Sequence, residues 1–257
     1  MPLNELIRYF SAADDSDEST LFPQNGRAVA CYRGLSLGSL FEPIVDLAQR
    51  RIVGHMATLT AAHEDATPVA SEVAYAACES ASSFVYFDRL CRTLHALNFL
   101  AQRATVGGYL QLAIDPRQLL AVQSQHGLVY EAILKRCGLA PADIVLEFSA
   151  SHLGSDGRLA SAVGNYRQRG YRLALREPVL SRDIAAVKAL HPEIVRFEGR
   201  PEATVVEDFR REGIAIELSG IDTDADFATA QASGFDLGRG CFFGVAQADC
   251  LPTHSVS

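Results

Sequence analysis

Charged side chains recur at one kind of place in this chain. Asp115, Glu147, Arg176 with Glu177, Arg196 with Glu198, Glu217 and Arg239 each stand at the C-terminal end of a short apolar run. A charge so placed must be solvated, paired or bound to a ligand, because an isolated buried charge costs several kcal/mol. Arginine forks match carboxylates well, so these groups can satisfy one another as an ion network. Other chemistries find less support. The cysteines Cys31, Cys78, Cys91, Cys137, Cys241 and Cys250 form no CxxC pair, which speaks against zinc and redox motifs. They read as small buried apolar groups in a reducing compartment. The histidines show no HExxH spacing. His63-Glu64-Asp65 puts three potential ligands in a row, but neighbouring side chains point in different directions, so a solvated loop is expected there.

The apolar runs that carry the charges are strand-like. They span residues 41–47, 51–59, 109–115, 143–149, 171–177, 193–199, 213–220 and 235–243, with helical patterns between them. In one of these patterns Phe84, Phe87, Leu90, Leu94 and Leu97 make a stripe at spacings of three and four. Eight strands alternating with helices over about 200–250 residues predict an α/β fold of the (β/α)8, or TIM-barrel, kind. In such barrels the C-terminal strand ends converge on one face, where active sites are built. Only Ala48-Gln49-Arg50 separates the first two runs. A parallel crossover needs a dozen or more residues, so these two strands should be antiparallel.

Ahead of the barrel, Leu3, Leu6, Ile7 and Phe10 predict a short amphipathic helix over residues 2–10, and the polar, acidic stretch 11–20 predicts a mobile linker. The helix is expected to cap the barrel; the alternative is docking on a partner. The expected division is 1–40 for helix and linker, 41–245 for the barrel and 246–257 for a tail. Hydrophobic residues are 48% of the 257, enough for one barrel-sized core. No apolar run reaches the roughly 18 residues of a membrane span, and the start lacks a signal peptide, so a soluble cytoplasmic protein is expected, with no membrane partner. The net charge of −8 and the lack of a basic face argue against direct nucleic-acid binding.

Phe41-Glu42-Pro43-Ile44-Val45-Asp46-Leu47, followed by Ile52-Val53-Gly54, resembles the opening of the EAL family of cyclic-di-GMP phosphodiesterases, whose members read YQPIVDL, then IVG, then a glutamate-alanine-leucine signature. The resemblance continues in order through residues 114–119, 144–151, 170–175, 187–198, 220–223 and 239–244. It implies a modified TIM barrel whose first strand runs against the others. It also implies two-metal phosphodiester hydrolysis, in which carboxylates and an asparagine hold divalent ions.

At the positions that match the family's functional residues, this chain departs from that chemistry. The signature glutamate falls on Met56, its leucine on Thr58 and the following phosphate-binding arginine on Thr60. The metal-binding asparagine falls on Ala113. Glu147 is kept, whereas the second glutamate of that strand becomes Ala150. The paired aspartates fall on Arg176 and Glu177, and the loop after them (178–183) is altered and one residue shorter. In the family this loop couples metal binding to dimerisation, so a homodimer remains open. The catalytic lysine becomes Arg196 and the following aspartate Glu198. A late glutamate falls on Ser219, with Glu217 two residues earlier on the same strand face. The glutamine of the opening motif becomes Glu42, and a late glutamine becomes Arg239.

A thioether is a poor magnesium ligand, and a cation at a ligand position repels the ion. The expectation is therefore no metal, no cofactor and no enzymatic activity. Arg176, Arg196 and Arg239 would neutralise Glu147, Glu177, Glu198 and Glu217 where ions stand in active relatives. By the resemblance, inactive members regulate by protein–protein contact in bacterial signalling, including control of motility or transcription, and a protein partner is expected here. The alternative is a receptor that binds cyclic di-GMP without cutting it. An active hydrolase with a rearranged site ranks third, for want of hard ligands.

Overall fold

The computed structural model describes residues 3–12, 19–103, 106–115, 117, 131, 134–136, 138–150, 157–176 and 181–251. Its strands are β1 (Ser19–Gln24), β2 (Arg27–Tyr32), β3 (Leu35–Asp46), β4 (Arg51–Ala62), β5 (Pro68–Val69), β6 (Tyr109–Ala113), β7 (Ile144–Ser149), β8 (Arg172–Arg176), β9 (Ile194–Phe197), β10 (Ala215–Ser219) and β11 (Leu237–Arg239). The helices are α1 (Leu3–Ala12), α2 (Ser71–Ala76), α3 (Ala81–Gln102), α4 (Arg158–Gln168), α5 (Ser181–Leu190), α6 (Ala203–Arg211) and α7 (Asp224–Ala232).

The eight strand-like runs of the sequence become β3, β4 and β6–β11, which close into a barrel in the order β3-β11-β10-β9-β8-β7-β6-β4, with β3 pairing back to β4. From β4 through β11 the barrel pairings are parallel. β3 is antiparallel to both its barrel neighbours, as the short connection before β4, residues 47–50, requires. That connection closes through Asp46, whose Oδ1 accepts hydrogen bonds from the Ala48 and Gln49 amides at 3.0 and 2.8 Å.

Most apolar side chains lie in one layer between barrel and helices. A smaller apolar group, Ile44, Met56, Tyr109, Val145, Ala174 and Ile194, fills the barrel interior. Each fully buried large side chain there contributes about 1.5–3 kcal/mol. The stripe of Phe84, Phe87, Leu90, Leu94 and Leu97 lies buried on α3. This helix starts at a reciprocal cap in which the Ser83 amide donates to Ser80 Oγ (3.1 Å) and the Ser80 amide to Ser83 Oγ (3.0 Å). An equivalent pair, Thr223 with Asp226, starts α7.

The N-terminal segment differs from the expectation. Its helix forms over Leu3–Ala12, and Leu6 and Ile7 are fully buried where it meets β1, β2 and α3. Residues 13–18 of the expected linker lie outside the described residues, but residue 19 already begins a strand. β1 and β2 form a hairpin through Asn25-Gly26, and a second tight turn through Arg33-Gly34 leads into β3; all four residues have positive φ. The backbone of these two-residue turns needs positive φ at both central positions, which Asn-Gly supplies at little cost. The division at 40/41 therefore falls inside β3. α3 clamps the hairpin: the Asn98 side chain accepts from the Ala28 amide (2.8 Å) and donates to the Ala28 carbonyl (2.9 Å).

The expected tail differs too. The Phe41 amide donates to the Gln247 carbonyl and the Gln247 amide to the Phe41 carbonyl, at 2.7 and 3.2 Å. Arg27 and Gln102 bond the Ala248 carbonyl, and the Cys250 amide donates to Gln102 Oε1 (2.7 Å). Residues 247–250 are thus tied to the barrel wall; residues 252–257 lie outside the described residues.

Candidate functional site

Alternation along a strand sends every second side chain into the barrel. On β7 that places Val145, then Glu147, inward; on β9, Ile194 and then Arg196; on β10, Ala215 and then Glu217. The inner surface therefore changes from apolar to charged toward the C-terminal strand ends. Strand register puts Glu147 level with Ala113 and Glu217 level with Arg196.

Glu147 lies at the centre of the charged layer and is 2% exposed. Arg196, 4% exposed, meets it side-on: Nε donates to Oε2 at 2.9 Å and Nη2 to Oε1 at 3.3 Å. Gln111 Nε2 adds a third bond to Oε2 at 2.8 Å. Arg176 Nε stands 3.9 Å from Oε1, with 37% of its side chain exposed at the mouth. The other fork of Arg196, Nη1, donates to Glu198 Oε1 (3.1 Å) and Ser219 Oγ (3.0 Å), and Ser219 Oγ donates in turn to the Phe197 carbonyl (3.1 Å). Burial pulls the Arg196 guanidinium toward losing its proton, but the surrounding carboxylates, Glu147 first and then Glu217 and Glu198, together outweigh burial and raise its pKa.

A second pair stands beside the first. Arg239 Nη1 donates to Glu42 Oε2 at 3.2 Å, while its Nε lies 3.0 Å from Glu217 Oε1. That approach is an ion-pair distance at an angle that makes no hydrogen bond, and among the described residues neither oxygen of Glu217 accepts one. Glu217 is fully buried, and burial pushes its carboxyl up to about 7 against the pull of Arg239. The buried carboxyl thus holds its proton to a higher pH than a free glutamate does.

Of the remaining positions, Met56, Thr58 and Ala113 line one small pocket beside Tyr75, Asp88 and Arg92. Met56 is buried in the barrel's apolar group, beside Ile44 and Tyr109. Thr58 and Ala113 are exposed at the rim, and Thr60 is half-buried opposite Gly38 on β3. Glu177, with residues 178–180 of the altered loop, lies outside the described residues, so its expected pairing is not among the contacts above. Gln111 had drawn no attention in the sequence. It lies two residues before Ala113, on the same inward face, and that spacing was its only signal. The Glu42–Arg239 contact was also unforeseen, since it joins the first and last barrel strands across closure. Among the described residues no three His, Cys, Asp or Glu side chains gather as a metal-ion site, and no helix is long and apolar enough to cross a membrane.

The family model for the EAL domain matches residues 31–201. No curated protein matches the chain. Solved structures do. A standalone versatile EAL protein from Vibrio cholerae O395, bound to c-di-GMP, superposes with a TM-score of 0.65 at 16% identity, over 85% of this chain and 95% of that one. The Bacillus subtilis YkuI protein, with an EAL domain and in complex with substrate c-di-GMP and calcium, gives 0.70 at 14% identity, over 84% of this chain and 57% of that one. Klebsiella pneumoniae BlrP1, as a manganese/cy-diGMP complex, gives 0.69 at 16% identity, over 89% and 58%. This chain thus spans a little over half the length of the last two. At these identities the likeness speaks for the fold alone.

Proposed function

The chain belongs to the EAL domain family, and from that premise we propose that it is a regulatory member without phosphodiesterase activity, acting through contact with a protein partner in a signalling pathway. The observation that carries this reading is the guanidinium of Arg196 on both oxygens of Glu147. Two-metal hydrolysis needs several hard oxygen donors converging on the ions. Here the oxygens of Glu147 are engaged by a cation, with Arg176 3.9 Å away. A dication at Glu147 would have to displace one guanidinium and face another. At the family's other ligand positions stand the Met56 thioether, buried among apolar side chains, and the Ala113 methyl. The donor set does not fit a divalent pair.

The competing reading is a receptor that holds cyclic di-GMP without cutting it. The part-exposed Arg176 favours it, since a guanidinium at the mouth suits a phosphate. Glu42 and Glu198 at the same mouth oppose a dianionic ligand. Calorimetry with cyclic di-GMP, run beside a turnover assay in magnesium and manganese, separates the readings. The regulator gives neither saturable heat nor product, and affinity capture with the full chain yields a partner whose binding is reproduced with purified proteins. Saturable heat without product identifies the receptor, and product formation overturns both.

A further inference from the structure

The barrel end opposite the charged mouth holds a cavity of about 480 Å³. Val53, Tyr109, Arg172, Ile194, Ala215 and Leu237 line it, with Gly108, Ala142 and Asp143 at its margin. Gly54 leaves room for the Tyr109 ring, whose Cε2 would lie 2.6 Å from a Cβ at that position, and Ala174 and Ala215 add little bulk. The walls are mostly aliphatic and aromatic.

Two polar groups in this lining lack the partners that their burial and charge call for. The Arg172 guanidinium lies over the Tyr109 ring at 4.7 Å from its centroid, and among the described residues no carboxylate stands at ion-pair distance from it. The one acid among the described lining residues is taken: Asp143 holds Arg103 through both oxygens, at 3.0 and 3.1 Å, and accepts from the Ala140 amide. Tyr109 is 7% exposed, and among the described residues its hydroxyl makes no hydrogen bond. A cation held by a cation–π contact above an apolar, pre-formed cavity is the arrangement that takes an anionic headgroup on an apolar body.

We propose that this cavity binds a small organic monoanion, a carboxylate carried on an aromatic or branched aliphatic body, with Arg172 taking the carboxylate. One guanidinium neutralises one negative charge. A second charge on the ligand would stand unpaired near Asp143 in a protein of net charge −8, which excludes polyanions such as nucleotides from this end. The volume lies within the range of small-molecule pockets. The site is separate from the charged mouth and does not depend on whether the mouth takes a ligand.

The test uses the full chain and benzoate as the probe, followed by saturation-transfer NMR and by amide shifts in a titration, with benzyl alcohol as the neutral isostere and inorganic phosphate as the competitor. Benzoate should saturate, and benzyl alcohol should bind about tenfold more weakly for want of the charge-assisted bond. Arg172→Gln should remove that difference. Ala142→Phe, at the exposed margin, should weaken both ligands by obstructing the cavity, with far-UV circular dichroism confirming the fold of each variant. The proposal is overturned if benzoate does not saturate by about 10 mM, if Arg172→Gln binds it as the parent does, or if phosphate competes equally.

Discussion

Replacing Arg196 by methionine keeps the length of the side chain and removes its charge. The structure fixes what is lost. The fork to Glu198 contributes little, because Glu198 is mostly exposed and such pairs are worth at most about 1 kcal/mol. The side-on pair with Glu147 is different, with the two partners 4% and 2% exposed. Removing one member of a buried pair costs about 3–5 kcal/mol, since it strands the other charge. Gln111 still donates to Glu147 and Arg176 stands 3.9 Å off, which places the cost near 3 kcal/mol. At about 2–4 °C per kcal/mol for a chain of this size, Tm should fall by about 6–12 °C. The assays are thermal unfolding followed by circular dichroism, for Tm, and equilibrium urea unfolding followed by tyrosine fluorescence, for the free energy. Adding Glu147→Gln removes the stranded charge while leaving an acceptor for Gln111, so the double variant should recover at least about 1 kcal/mol over Arg196→Met. A loss below about 1 kcal/mol in the single variant, or strict additivity in the double, would refute the claim that Arg196 and Glu147 neutralise each other.

Three further outcomes follow from the geometry. Glu217 titrates near 7 when folded and near 4.5 when unfolded, so between those values the native state holds the extra proton and stability should decline as pH rises. The decline should reach up to about 3 kcal/mol, and Glu217→Gln should flatten the urea-unfolding profile across that window. Asn98→Leu strands the amide and carbonyl of Ala28, so it should cost about 2 kcal/mol and speed hydrogen exchange at the Ala28 amide. Gly108→Ala meets a φ of +83° and would put Cβ 2.2 Å from the Val53 carbonyl oxygen, so β4 must shift; a loss above about 2 kcal/mol is expected in the same unfolding assay.

The barrel was legible in the sequence because its runs are apolar and short, with a charge at the far end. The reversal of β3 was legible because three residues cannot make a crossover. The hairpin of residues 19–32 was not. Pro23 interrupts its first strand pattern, and the acidic residues before it suggested a linker, although Asn25-Gly26 carried the turn signal. At the mouth, the residue types announced that arginines would meet carboxylates. Their assignment was not local information. Glu42 reaches Arg239 only because the barrel closes on itself, and Gln111 reads as a neutral interruption of an apolar run until its strand is given a face. The cavity at the other end was hidden for the same reason, since its lining comes from separate strands.

Manganese binding to the full chain at neutral pH, measured by calorimetry and by the loss of free-ion electron paramagnetic resonance signal, bears most directly on the mouth of the barrel. With Arg196 on Glu147, no saturable binding tighter than about millimolar is expected, and Glu147→Gln should leave the titration unchanged. Two manganese ions bound at micromolar affinity and lost in Glu147→Gln would contradict the account.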